Sequence, residues 1–314
     1  MRHLVDPDLI PLIDAFPPLD LSASGLTGTR QTVAGLMRAT GCGPGPSREL
    51  RVDGPAGAPT VRLLVFEPPA GLPPRPAILY LHGGGMVMGS AGQSNAALWR
   101  LVHAVGAVVV SVDYRLAPET PFPGPLEDGH AALKGIVAAA QELHIDPHRI
   151  VVMGDSAGGG LAASLALLTR DRGGPQLRGQ VLVYPMLDHR TGGPDDAYSR
   201  PSAAHLLWTR ENNKDGWRAL QGAEPLQNLQ TGYFSASRAA SLEGLPATFL
   251  GVGALDLFLA ESLAYARDLA AANVPLELHV YPGAPHGFDL LPSAAVATAA
   301  EQQRVLALKR FFSV

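Results

Sequence analysis

The chain contains a single cysteine, Cys42, so no disulfide can form within it and nothing points to an oxidising compartment. Cys42 stands in Gly41-Cys42-Gly43-Pro44-Gly45-Pro46, with no histidine beside it, and reads as incidental. Charge is also scarce. Only 17% of residues are charged and the net charge is −4, a balance that argues against nucleic acid or an anionic membrane as the main partner. No apolar run approaches the roughly 20 residues of a membrane helix. The stretch Met1–Pro7 lacks an apolar signal core, and no Asn-x-Ser/Thr acceptor occurs. A cytoplasmic protein is the expectation. What is abundant is glycine, 35 residues, and proline, 28, in a chain that is 46% hydrophobic. That combination suits a compact protein with a large core and many tight loops.

The chain is organised around Ile150-Val151-Val152-Met153-Gly154-Asp155-Ser156-Ala157-Gly158-Gly159-Gly160. Apolar, largely β-branched residues predict a buried strand, and Leu161–Leu168 predicts a helix. Gly154–Gly158 is therefore a G-x-S-x-G in the setting that motif requires, a strand turning sharply into a helix. The turn lifts a serine hydroxyl out of the sheet, and only residues without side chains fit two positions away on either side. The alternative, a glycine-rich dinucleotide turn, lacks the G-x-G-x-x-G spacing. Ser156 is the predicted nucleophile.

Elsewhere, strands and helices alternate. Strands are predicted at Glu49–Val52, Thr60–Glu67, Ala77–Leu81, Ala107–Val112, Gln180–Tyr184, Ala247–Val252 and Leu276–Tyr281. Helices are predicted at Asn95–Val105, Leu126–Leu143, Ala260–Ala272 and Ala294–Phe312, with a turn opening at Asp146-Pro147. Several strands are apolar on both faces, which means a mainly parallel sheet covered by helices on both sides. Residues 1–46 form a preface with short helical patterns at Pro7–Phe16 and Thr32–Ala39, too short to fold alone. Residues 47–314 form one α/β domain. Within it, 187–245 breaks the alternation, with helical patterns at Ala203–Trp208 and Trp217–Leu220, as a lid or cap would.

In such a sheet the triad runs serine, acid, histidine along the chain. Four histidines follow Ser156: His189, His205, His279 and His286. His279 lies inside a strand and decorates a sheet face. His286 lies just beyond that strand, in a loop where the catalytic groups of a parallel sheet gather. The acid should leave the end of the preceding strand, and that residue is Asp256. It is preferred to Asp188, Asp195, Asp196 and Asp215, in or beside the insertion, and to Glu261 and Asp268 on the following helix. His82-Gly83-Gly84-Gly85 ends another strand. Its bare backbone N–H groups at Gly84 and Gly85, with that of Ala157, would make a three-donor oxyanion hole. His82 has no second His or Cys at ligand spacing, so a loop-holding role is expected and no metal. Asp113, Arg115, Glu127, Asp128 and Asp155 are expected to fasten loops and helix ends.

His82-Gly83-Gly84-Gly85, Tyr114-Arg115-Leu116-Ala117-Pro118-Glu119, Gly154-Asp155-Ser156-Ala157-Gly158-Gly159 and His286-Gly287-Phe288, taken together, resemble the hormone-sensitive-lipase family of bacterial esterases in its GDSAG branch. The resemblance covers nearly the whole chain. It implies an α/β-hydrolase fold, a mainly parallel central sheet flanked by helices, with a helical cap built from the N-terminal helices and the insertion. It also implies a structural His82 and oxyanion N–H groups from Gly84 and Gly85. The family's acid motif, D-P-L-x-D-E, stands here as Asp256-Leu257-Phe258-Leu259-Ala260-Glu261, without the proline and the second Asp. The function implied is a cofactor-independent serine carboxylesterase acting on small esters of short to medium acyl chain. The same triad could cleave amides, lactones or formamides; a receptor built on this pocket would be expected to lose a triad residue, and none is lost. Phe16, Leu206, Leu207, Trp208 and Trp217 are candidate pocket residues, and a homodimer could form through the last strand and closing helix.

Overall fold

The computed structural model describes residues 2–39, 43–69, 74–198, 206–228 and 230–313. Cys42, His205 and the first half of the pattern at Ala203–Trp208 lie outside them. The strands are β1 (Arg48–Val52), β2 (Val61–Phe66), β3 (Arg75–Leu81), β4 (Val108–Asp113), β5 (Ile145–Asp155), β6 (Gly179–Val183), β7 (Ala247–Gly253) and β8 (Leu276–Tyr281). The helices are α1 (Ile10–Ala15), α2 (Leu26–Ala39), α3 (Asn95–Val105), α4 (Gly124–Ala138), α5 (Ala157–Asp171), α6 (Arg210–Gln221), α7 (Thr231–Phe234), α8 (Leu259–Ala271) and α9 (Ala295–Ser313).

The strands form one sheet in the order β1-β2-β4-β3-β5-β6-β7-β8. β1–β2 and β2–β4 pair antiparallel, and every other pair is parallel. Helices α3 and α9 cover one face and α4, α5 and α8 the other. This double cover explains why the central strands read as unbroken apolar runs: Ile150 to Met153 and Ile78 to Leu81 are all buried. From β3 the chain crosses to β4 on one side and then returns over β3 to β5 on the other. The strand order therefore reverses between β3 and β5, and a crevice opens at their carboxyl ends, where ligands bind in open α/β sheets. Leu81 of β3 pairs with Gly154 of β5, so His82 and Asp155-Ser156 emerge side by side at that crevice.

Most predicted elements form within two residues of their expected bounds. The differences have local causes. Helix α5 starts at Ala157 rather than Leu161, so three poor helix formers occupy its first turn. They are there for space: a methyl group added at Gly158 would lie 2.0 Å from the Leu81 carbonyl oxygen, and one at Gly160 2.1 Å from that of Met186. Tertiary packing overrides propensity. Helix α4 stops at Ala138 rather than Leu143 because the chain turns back, with the Ile145 N–H donating to Ala140 O. Helix α2 starts at Leu26 rather than Thr32. Gly28 and two threonines hide its first turn in sequence, although the buried Thr29 hydroxyl donates to Asp20 O. In the insertion, Leu206–Trp208 forms bends rather than helix, and the helix around Trp217 starts at Arg210. A capping box between Thr209 and Asn212 starts it, with Asn in place of the usual Glu or Gln.

Candidate active site

Ser156 has φ +56° and ψ −121°, a conformation L-residues rarely adopt and one that costs about 1–3 kcal/mol. The surroundings hold it there. Its N–H donates to Val183 O at 2.9 Å, and its carbonyl accepts from Met186 N at 3.0 Å. A methyl group at Gly154 would sit 2.1 Å from Gly158 O, so the two bracketing glycines are demanded by contact with each other and with β3. The Ser156 hydroxyl lies 2.8 Å from His286 Nε2, and His286 Nδ1 lies 2.8 Å from Asp256 Oδ2.

Asp256 and His286 meet because their loops are hydrogen-bonded together. Ala254 N–H donates to Tyr281 O and Leu255 N–H to Ala284 O, while a methyl group at Gly253 would strike the Ala284 carbonyl at 2.2 Å. Asp256 is wholly buried, and its Oδ1 accepts from Phe258 N–H at 2.8 Å. Phe258 and Tyr184 stand edge-on to the His286 ring, at centroid distances of 5.1 and 4.8 Å. The ring therefore has little freedom to leave the line between Ser156 and Asp256.

The rival residues lie elsewhere. Asp188 pairs with Arg190, Asp196 with Arg210, Asp215 with Arg218 and Asp268 with Arg267, while Asp195 is exposed. Glu261 is buried and accepts the Leu187 N–H. His279 bonds Glu277 on β8, and His189 packs against Trp217 and Phe234.

At the end of β3, His82 is fully buried, stacks on Tyr114 at 4.2 Å and places Nδ1 2.9 Å from Gly83 O. Burial lowers its pKa to about 4, so it is neutral near pH 7. Gly84 and Gly85 take φ of +136° and +61°. Among the described residues, no backbone hydrogen bond engages the N–H of Gly84, Gly85 or Ala157. The glycines also pack. A methyl group at Gly84 would meet Met88 O at 2.0 Å, and one at Gly85 would meet Trp208 Cη2 at 2.2 Å.

Ser156, His286, Gly84 and Gly85 face a cavity of about 130 Å³ lined mainly by apolar groups. Phe16, Leu19, Val33 and Met37 come from the N-terminal segment, and Leu207 and Trp208 from the insertion. Of the predicted pocket residues, Phe16, Leu207 and Trp208 line it. Leu206 packs on the core instead, and Trp217 is buried against Phe234. Tyr184 and Leu290 line the cavity without having been singled out in the sequence. The only sequence signal for Tyr184 was its place at the end of a buried strand.

The charged residues set aside as fasteners do fasten. Arg115 grips Asp128 with two hydrogen bonds, Asp113 accepts from Ala91 N–H, and Glu127 pairs with Arg172. Beneath the serine, the Tyr80 hydroxyl donates to Asp155 Oδ2 and the Tyr184 hydroxyl to Asp289 Oδ1, each at 2.5 Å, with Arg304 3.4 Å from Asp289. Burial, and then the nearby Asp289, push Asp155 up to about 6 from an ordinary 3.8, with Arg304 and Tyr80 acting in the opposite direction. The folded chain thus keeps this proton over a range where the unfolded chain has released it. Through Asp155, stability falls as pH rises from about 4 to about 6. Asp155→Asn keeps an acceptor for Tyr80 and removes the titration. Its thermal midpoint should therefore gain on the wild type across that window and hold a constant difference above it. A difference independent of pH would show that Asp155 titrates normally. His82, lowered by burial, contributes with the opposite sign, so the readout is the difference between the two proteins.

A serine, an acid and a histidine in that chain order, meeting at the reversal point of a mainly parallel sheet, define a serine hydrolase of α/β architecture. The chain belongs to the alpha/beta hydrolase fold family, whose model matches residues 78–290. It is 35% identical to carboxylesterase NlhH of Mycobacterium tuberculosis over 317 residues, 98% of this chain and 97% of that one. Esterase LipI of Mycobacterium tuberculosis is 34% identical, over 95% of this chain and 93% of its own. Among solved structures, a bacterial heroin esterase superposes with a TM-score of 0.93 at 36% identity, covering 100% of this chain and 99% of its own. These similarities agree with the hormone-sensitive-lipase resemblance carried by the four motifs.

Proposed function

We propose that this protein is a serine carboxylesterase that hydrolyses carboxylic esters of short to medium acyl chain through an acyl-enzyme, without a cofactor. One observation carries the reading: the Ser156–His286–Asp256 hydrogen-bonded line opens into an apolar cavity beside the unengaged N–H groups of Gly84, Gly85 and Ala157. His286 takes the Ser156 proton as the oxygen attacks the ester carbonyl carbon. Asp256 holds the imidazole with Nε2 free to accept that proton and stabilises the imidazolium. The three N–H groups receive the oxyanion, each worth about 3 kcal/mol in barrier height. His286 then gives its proton to the leaving alcohol, and water, activated by the same histidine, releases the acid. His82, neutral and stacked, supports the glycine loop.

The cavity of about 130 Å³ supports the chain-length limit, since about 150 Å³ of apolar space holds a benzene-sized group. Hydrolysis of p-nitrophenyl esters from acetate to palmitate should peak at short or medium chains. No turnover on any ester by the folded protein would overturn the reading, and faster turnover of matched amides would change the bond it is assigned.

Residues 1–46 and 187–245 are read as one cap over a catalytic domain of 47–314. Their shared lining of the cavity supports this, as does the hydrogen bond from Asn212 Nδ2 to Leu19 O at 3.0 Å. A homodimer through β8 and α9 belongs to the same proposal. β8 is an edge strand with Leu278 and Val280 exposed, and sedimentation equilibrium giving a monomer at micromolar concentration would remove it. The cytoplasmic assignment rests on the single cysteine, and recovery of the protein in a secreted or envelope fraction would contradict it.

A further inference from the structure

The cap insertion does more than roof the pocket. Trp208 touches the oxyanion loop itself: a methyl group on Gly85 would lie 2.2 Å from Cη2 of the indole and 2.9 Å from Cζ2. Gly216 of α6 presses on the same residue from elsewhere, since a methyl group there would lie 2.7 Å from the Gly85 carbonyl oxygen. Gly85 is thus gripped at both its α-carbon and its carbonyl by parts of one insertion. A glycine at φ +61° has no side chain and little intrinsic preference to hold that conformation. Within the loop, the peptide carrying the Gly85 N–H is held through Gly84 O, which accepts from Val87 and Met88 N–H; the Gly85 α-carbon and carbonyl beyond it are held from outside the loop, by Trp208 and Gly216.

The indole is itself tethered. Its Nε1 donates to Asn213 Oδ1 at 3.3 Å, and Asn213 Nδ2 donates to Thr191 O at 2.6 Å. Asn213 is fully buried. The Thr191 hydroxyl is hydrogen-bonded to Glu261, whose other oxygen accepts the Leu187 N–H at 2.7 Å. Glu261 lies on α8, the helix that follows the Asp256 loop. Burial holds the Glu261 carboxyl well above the usual carboxylate range, in keeping with a closed interior route. The indole ring also stands 6.3 Å from the His286 ring.

We infer that Trp208, tethered through Asn213 to Thr191 and Glu261 and backed by Gly216, is a positioning residue that fixes the Gly85 N–H on the oxyanion. The inference deepens the esterase reading and rests on it. Displacing a donor by a fraction of an ångström removes transition-state stabilisation while leaving ground-state binding nearly intact. A pocket wall would behave otherwise, changing KM in step with acyl length.

Gly216→Ala separates the two, because Gly216 does not line the cavity and alanine favours the helix. With p-nitrophenyl acetate, this variant should lose roughly 10- to 100-fold in kcat with KM changed less than about twofold. Its affinity for a trifluoromethyl ketone, whose Ser156 adduct carries an oxyanion, should fall by the same factor while inhibition by acetate stays unchanged. Trp208→Phe, too short to reach Gly85, should show the same pattern for acetate and butyrate esters alike. Full kcat in Gly216→Ala, with Trp208→Phe affecting only the longer ester, makes the indole a wall and overturns the inference. A wild-type protein that neither turns over the ester nor takes the ketone removes the esterase reading, and the inference with it. Wild-type activity with unaltered variants removes the inference alone.

Discussion

Ser156→Ala is expected to lower kcat on p-nitrophenyl acetate by roughly 10⁶-fold, to the level of the oxyanion hole and binding alone. The substitution removes one oxygen. Its hydrogen bond to His286 Nε2, 2.8 Å long, is the hydroxyl's only side-chain hydrogen bond among the described residues. The backbone bonds to Val183 and Met186 that impose the turn do not involve the side chain. Alanine still occupies φ +56°, so the strain remains and the thermal midpoint should move little. A stopped-flow trace should lose its burst together with its steady-state rate. A retained burst in a folded Ser156→Ala protein would place the nucleophile elsewhere.

Asp256→Asn should cost about 10⁴-fold in kcat, with KM nearly unchanged. The amide is isosteric and its oxygen can still accept the Phe258 N–H at the position Oδ1 now holds. The other arm then presents an N–H to His286 Nδ1. That arrangement favours the tautomer with the ring proton on Nε2, facing Ser156, which cannot accept the hydroxyl proton. The geometry survives while the base is lost, so the effect should appear in kcat and not in folding. Activity above about a tenth of wild type would mean that another carboxylate serves the histidine. Among the described residues none of the alternatives read from the sequence is placed to do so: they are paired, exposed or turned toward the insertion.

Asp256 shows how far the sequence could be read. The family's acid motif is incomplete here, and the choice rested on position, at the end of the strand preceding the histidine's own. The structure brings Asp256 to His286 by zipping together the two loops, through Ala254, Leu255 and Ala284. Position at a strand end was legible because a parallel sheet aligns all its carboxyl ends along one edge. Trp217 shows the limit. It was as apolar and as well placed in sequence as Trp208, yet it turns inward against Phe234. Which face of an insertion meets the pocket depends on its capping and on its long-range partners, and neither repeats at a fixed period.

The sequence alone determined the alternating strands and helices, the G-x-S-x-G turn, the chain order of the triad and the glycine loop. Each is a local pattern, set by burial on both faces of a strand or by the need for an absent side chain. Tertiary structure alone decided why those glycines are obligatory, with Gly158 against Leu81 and Gly85 beneath Trp208. It also decided that Tyr184 would brace His286, that the Asp155 carboxyl would sit near Asp289, and that Asn213 would tether Trp208 over Gly85. Apart from the bond between Asn213 and Trp208, those contacts join residues more than seventy positions apart, and only the packed sheet brings them together.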